Sequence, residues 1–218
     1  MTELRTEEEQ VEAIRKWWKA NGVAVVLAIV VGLAGYFGYN YWKDQKNAKL
    51  DAASDLYNQL VQVAAKPSLD GAEKDKALAL ARELKADYAG TTYAQFGALF
   101  VARFAVEKGE FDQAAAELSA LAKDSSEDSI KYTATARLAQ VLIQQEKFDE
   151  ALALVNTVPN AAYSVQFDEV KGDALYRKGD LKAARAAYLS AKEAAQGLGQ
   201  NPIILQRKID ALTPGGEA

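Results

Sequence analysis

The sequence predicts an all-α protein in which one N-terminal transmembrane helix precedes a solenoid of helical hairpins. Three observations carry that expectation. An uncharged, apolar run fills Asn21–Trp42, NGVAVVLAIVVGLAGYFGYNYW. Beyond it, apolar residues recur at helical spacing and no strand-like alternation appears. Three segments, KGEFDQAAAEL, QEKFDEALALV and KGDLKAARAAY, then repeat one pattern over Lys108–Leu118, Gln145–Val155 and Lys178–Tyr188.

Composition narrows the chemistry. The 218 residues include 26 Lys and Arg against 30 Asp and Glu, a net charge of −4. A binder of phosphates needs a basic excess, so no nucleic-acid partner is expected. Cysteine and histidine are both absent. Thiol catalysis, disulfides and cysteine–metal sites are therefore excluded, and the commonest general base and transition-metal ligand are missing. A Ser–Lys dyad needs neither residue type. Yet Ser54, Ser119, Ser164 and Ser190 sit in helical pattern, outside any nucleophile-elbow context. GDLKAARAAY lacks the spacing and the Lys-Ser/Thr pair of a phosphate loop. Asp168 and Glu169 read as surface carboxylates. The expectation is a non-enzyme without cofactor, metal or small-molecule substrate.

Residues 1–20 read as an amphipathic tail. Thr6 with Glu9 forms a capping box, Glu7, Glu8 and Glu9 complement the helix start, and Arg15, Lys16 and Lys19 complement its end. Val11, Ile14 and Trp18 share a face, the pattern of a short interfacial helix.

Residues 21–42 read as the transmembrane helix. As a helix they span ~33 Å, close to the ~30 Å hydrocarbon core of a bilayer. Trp17 and Trp18 precede the run, and Tyr36, Phe37, Tyr39, Tyr41 and Trp42 close it, matching the two headgroup interfaces. A core helix would show a polar face, and this segment has none. Gly32-Leu33-Ala34 has the small-x-small form of a signal cleavage site, with Val23–Val31 as the h-region. The long preceding tail and the apolar residues past that site argue for a retained anchor. Ala24, Ala28, Gly32 and Gly35 fall on one strip, which fits either close approach of a partner helix or the plain abundance of Gly and Ala in membrane helices. Arg15, Lys16 and Lys19 on one side balance Lys43, Lys46 and Lys49 on the other, and Arg5 adds little, so charge sets no orientation.

Residues 43–65 continue without Pro or Gly, so the membrane helix can run on as one rod. Leu50, Ala53, Tyr57, Leu60 and Ala64 form an apolar seam, too short for an independent coiled coil and suited to packing on the following domain. Pro67 ends the rod, and Ser68, Asp70 and Gly71 make a turn. The domain covers 66–213, with a flexible tail at 214–218. Helices are expected near 72–88, 92–107, 111–123, 128–144, 148–157, 163–177, 181–195 and 202–212, punctuated by Gly90, Gly109, Pro159 and Gly179. Pro202 suits a helix start.

The three repeated segments fix a register. Phe111, Phe148 and Leu181 correspond, with spacings of 37 and 33, as do Ala114, Ala151 and Ala184. Twelve residues before those alanines stand Ala102, Ala139 and Gly172. The pattern resembles the tetratricopeptide repeat, a helix–turn–helix unit of 34 residues. Small residues at these positions let paired helices touch, while Phe111 and Phe148 plug the space between repeats. The usual Trp, the repeat-ending Pro and a fixed length are largely missing. The pair 48–65 and 72–88 makes a degenerate first unit, and 202–212 a capping helix. The register also places Arg103, Gln140 and Asp173 in one concave column and Glu107, Gln144 and Arg177 in another. Mixed signs argue against a clamp for one terminal carboxylate. Broad, weak protein binding and a merely solvated face both remain open.

At EEEQVEAIRKWWKANG (Glu7–Gly22), followed by the anchor, a YWKDQ exit and the repeats, the chain resembles the YfgM family over essentially its whole length. The resemblance implies a single-span inner-membrane protein of Gram-negative bacteria, an ancillary subunit of the SecYEG translocon associated with the membrane-anchored chaperone PpiD. It places Met1–Ala20 in the cytoplasm and Lys43–Ala218 in the periplasm, and carries over no catalytic residue. The expected function is a non-enzymatic scaffold that binds a periplasmic chaperone and assists newly translocated proteins. A tethered scaffold for cell-envelope assembly, in peptidoglycan or outer-membrane machinery, is the alternative.

Overall fold

A computed structural model describes residues 7–66 and 68–212. Arg5, Thr6 with its cap, Pro67 and the tail 214–218 lie outside the described residues. Among those described are nine α-helices, one 3₁₀ turn and no strand. The chain divides into two units, Met1–Ala52 and Ala53–Ala218.

The first unit is helical throughout its described residues. Helix α1 (Glu7–Ala64) begins in the tail and shows no break at the start of the apolar run, so the expected short tail helix is not a separate element. Asn21-Gly22 is the kind of pair that marks turns, yet here it stays helical. The Asn21 side-chain amide donates back to the Trp17 carbonyl at 3.0 Å. The Trp18 indole covers Gly22, where an added Cβ would lie 3.2 Å from the ring. Only 6 % of the most apolar window of α1 is buried. That excludes a core helix: Val23, Leu27 and Val31 point outward. By length and composition the segment can cross a membrane.

In the second unit, the end of α1 packs on α2 (Gly71–Asp87) and α3 (Thr92–Glu107). Ala53 and Leu60 are fully buried there with Ala77, Ala81, Leu84, Val101 and Phe104. Tyr57 lies against Tyr93 and Phe96, with ring centroids 5.7 and 5.2 Å apart. The seam residue Ala64 is half-buried here; Leu50 belongs to the first unit. Leu56, outside the seam as read, is buried too, because two helices cover this face and widen its apolar stripe. Asp70 caps α2 in a reciprocal box with Glu73, 2.8 and 3.2 Å. Thr91 caps α3 through the Ala94 N–H at 3.1 Å.

Three hairpins follow. They pair α3 with α4 (Phe111–Asp124), α5 (Asp128–Gln144) with α6 (Phe148–Val155), and α7 (Ser164–Lys178) with α8 (Leu181–Gly197). Helix α9 (Ile203–Asp210) closes the end, burying Leu205 and Ile209 on Tyr188, Ala191 and Ala195 of α8. The expected helices form within a few residues. Helix α6 stops two residues early, and a 3₁₀ turn, Ala161–Tyr163, precedes α7 because the Asn160 side chain accepts from the Ala162 N–H at 3.0 Å. Helix α9 is shorter than read, with Pro202 at its N-cap.

The small-residue register is the packing register. Ala102, Ala139 and Gly172 are buried, and so are Ala114, Ala151 and Ala184. Phe111 and Phe148 pack on the central core. Leu181 does not act as a plug: it is 49 % exposed and lies outside the cluster that α9 forms with Ala184, Tyr188, Ala191 and Ala195 further along α8.

The hairpin turns share a geometry. The N–H groups of Glu110, Lys147 and Asp180 donate to the carbonyls of Ala105, Leu142 and Leu175 at 2.8, 2.9 and 3.0 Å. This six-to-one bond requires a left-handed residue just before the donor. Gly109 (φ 77°) and Gly179 (φ 92°) supply it, but the middle hairpin uses Glu146 (φ 61°). A side chain there is strained. Glu146→Gly is expected to stabilise the domain by about 0.5–1 kcal/mol net of the freer unfolded chain, read as a raised urea midpoint. A lowered midpoint would show that Glu146 makes a compensating contact.

Candidate binding groove

The first helices of successive hairpins, α3, α5 and α7, present side chains at i, i+3, i+4 and i+7 toward a common concavity, a period that keeps them on one face. The result is a groove of about 630 Å³. All six residues of the two columns line it: Arg103 and Glu107 from α3, Gln140 and Gln144 from α5, Asp173 and Arg177 from α7. Leu99, Val106, Val141 and Tyr176 give it an apolar component, and Val106 and Tyr176 are exposed to solvent.

The charges are not equivalent. The Arg103 Nε donates to Glu107 Oε1 at 2.9 Å, and Lys74 Nζ from α2 approaches Glu107 Oε2 at 3.7 Å. Asp173 Oδ1 accepts from the Tyr188 hydroxyl at 2.7 Å and from Lys208 Nζ at 2.6 Å. Lys208 reaches Glu169 Oε1 at 2.8 Å and stands 5.3 Å from the Tyr188 ring centroid. Burial works against the Lys208 ammonium, but its hydrogen bonds to Asp173 and Glu169 outweigh burial and raise its pKa. Burial, then the hydrogen bond to Asp173, pushes the Tyr188 hydroxyl well above the usual tyrosine range. Both groove carboxylates are thus engaged within the protein.

Two arginines are not. Among the described residues neither Arg137 nor Arg177 has a carboxylate within ion-pair distance. Burial, and then the nearby Arg103 guanidinium, lower the Arg137 pKa from the ordinary arginine value. Sequence reasoning missed Arg137. It lies one helical turn before Gln140, and its repeat equivalents are Phe100 and Val170, both apolar, so the column arithmetic gave no cue. An arginine three residues before a column position on an Ala-rich helix was the available signal.

Of the four serines considered for a Ser–Lys dyad, Ser164 and Ser190 have structural partners. Ser164 Oγ donates to the Ala161 carbonyl and Ser190 Oγ to Asp168 Oδ2, each at 2.7 Å. Ser54 and Ser119 are helical, in α1 and α4. The strip Ala24, Ala28, Gly32 and Gly35 lies in the other unit and is solvent-facing. A Cβ added at Gly32 or Gly35 would meet nothing within 4 Å, so packing inside this chain does not account for those glycines.

Residues 15–214 match the model of a tetratricopeptide repeat-like domain family. Similar proteins include the ancillary SecYEG translocon subunit of Escherichia coli, 31% identical over 84% of this chain and 85% of that protein. The protein of the same name from Haemophilus influenzae is 28% identical over 89% of this chain and 92% of its own. The Neisseria gonorrhoeae counterpart is 24% identical over 94% and 97%.

Proposed function

Because the chain belongs to the YfgM family of ancillary SecYEG translocon subunits, with its tetratricopeptide repeat-like domain, we propose that it is a non-enzymatic, membrane-anchored scaffold at the Sec translocon. The observation that carries this reading is the reach of the similarity. Relatives named for the translocon align over 84% to 94% of the chain, and the family match over residues 15–214 takes in the apolar helix and the repeats alike. In the proposed arrangement the apolar part of α1 spans the inner membrane, Met1–Ala20 is cytoplasmic and the repeat domain is periplasmic. The groove binds a periplasmic chaperone, PpiD by family resemblance, and assists newly translocated chains. Arg103, Glu107, Gln140, Gln144, Asp173 and Arg177 form the contact face. The strip Ala24, Ala28, Gly32 and Gly35 packs against a partner's membrane helix. Tethering raises the effective concentration of weak binders, so modest groove affinity suffices.

Crosslinking in native membranes followed by detergent pull-down tests this, with the intact protein beside a version whose apolar segment is replaced by an unrelated span. Recovery of translocon subunits and a periplasmic chaperone by the intact protein is expected. Their loss on swapping the span would assign recognition to the small-residue strip, and their retention to the repeat domain. Recovery of neither by either version overturns the proposal. Recovery of peptidoglycan or outer-membrane assembly proteins instead would establish the envelope-assembly alternative.

A further inference from the structure

We propose that the groove takes an extended, acidic segment of a partner protein, with internal Asp or Glu side chains set against Arg137 and Arg177. The inference rests on the reading of the domain as a partner-binding scaffold and names the chemistry that face selects. Its basis is the imbalance of charge. Glu107 is held by Arg103 and Lys74, and Asp173 by Tyr188 and Lys208, so neither carboxylate is left for the arginines. Arg137 and Arg177 therefore face the groove as unmatched cations among the described residues, and a guanidinium takes a carboxylate as its strongest partner.

Three features favour an internal acidic segment over a single C-terminal carboxylate. The two cations stand on different helices, α5 and α7, and suit two carboxylates spaced along a chain. Gln140 and Gln144 line the same groove, and among the described residues neither side chain is hydrogen-bonded. Their amides can both donate to and accept from a passing peptide backbone. Val106 and Tyr176 offer exposed apolar surface between the polar groups, which suits a segment alternating apolar and acidic residues.

The test uses the full chain in detergent micelles and fluorescence anisotropy. The probe is a labelled, C-amidated decapeptide alternating Leu and Glu. A second peptide has Gln for every Glu, and a third is the Gln peptide with a free C-terminal carboxylate. Saturable binding of the Glu peptide is expected, about tenfold weaker for the C-amidated Gln peptide, and weakened by salt. Arg137→Gln and Arg177→Gln should each lower affinity for the Glu peptide several-fold while leaving the thermal midpoint unchanged. Arg177→Lys, which keeps the charge, should retain part of it. Equal binding of the Glu and Gln peptides, binding that follows only the free carboxylate, or affinity unmoved by both arginine variants overturns the inference. If the peptide fails while translocon subunits are still recovered in the crosslinking experiment, only this inference falls. Failure of that recovery removes the scaffold reading itself.

Discussion

Gly172→Ala is expected to destabilise the repeat domain by about 1–3 kcal/mol, although alanine is the better helix former. A Cβ at Gly172 would lie 2.4 Å from Cδ1 and Cε1 of Tyr188. That ring cannot step aside cheaply. It is 3 % exposed, its hydroxyl donates to Asp173, and Lys208 stands over its face. The repeat register explains the glycine. Residues equivalent to Tyr188 are Leu118 and Val155, both buried, and they stand in the hairpins whose first helices carry Ala102 and Ala139. In the last hairpin the larger ring takes the volume that the alanine methyl holds in the others. The size change is reciprocal, and it makes the experiment a double-mutant cycle. In a Tyr188→Leu background Gly172→Ala reproduces the Ala102 and Leu118 pairing, so its cost should vanish or become a gain near 1 kcal/mol from helix propensity. Urea denaturation of the four proteins measures the coupling. Equal cost in both backgrounds would mean that the ring is not the obstacle.

The same cycle shows what kind of information the sequence carries. Helix ends were legible because their signals are local: Gly109 and Gly179 mark the hairpin turns, and Ala114, Ala151 and Ala184 mark the faces that touch. Even Glu146, without glycine's freedom, adopts the turn its neighbours dictate. The six groove positions followed from counting, since residues 37 and then 33 apart in the repeat register fall on matching turns. Contacts between distant residues were not legible. Nothing in spacing says that Lys208, thirty-five residues on, holds Asp173, or that Lys74 reaches Glu107 from the preceding hairpin. Those pairs turn a face of mixed sign into one with two unmatched arginines. Gly97 is another case: an added Cβ there would lie 2.7 Å from the Ala81 carbonyl, a backbone approach between α2 and α3 that the seam reading did not include. The wide apolar stripe on α1, with Leu56 buried beside Ala53 and Leu60, depends likewise on which helices cover it.

The largest effect on the behaviour of the whole chain is expected from one charge in the apolar segment. Val31 sits near the middle of Asn21–Trp42 and is 69 % exposed, so an arginine there meets no protein partner and would face lipid. An arginine at the centre of a spanning helix costs about 2.5–3.5 kcal/mol on insertion scales, against gains of about 0.3–0.6 for each Leu, Ile, Val or Phe. Glycines, alanines and Asn40 contribute little to the gain, so one such charge consumes most of it. Val31→Arg should therefore move much of the protein from the alkali-resistant membrane fraction to the soluble one. Tyr41→Arg should not, because a long cation at the end of the span reaches the headgroup layer. The contrast between centre and end is the informative part, since a soluble amphipathic helix would tolerate both substitutions alike. Intact-mass measurement on the same fractions addresses the Gly32-Leu33-Ala34 site directly. A retained anchor gives the full chain mass, whereas a mature N-terminus near Gly35 would make this segment a cleaved signal. In that case the strip Ala24, Ala28, Gly32 and Gly35 could meet no partner helix, and recognition of the translocon would rest on the repeat domain alone.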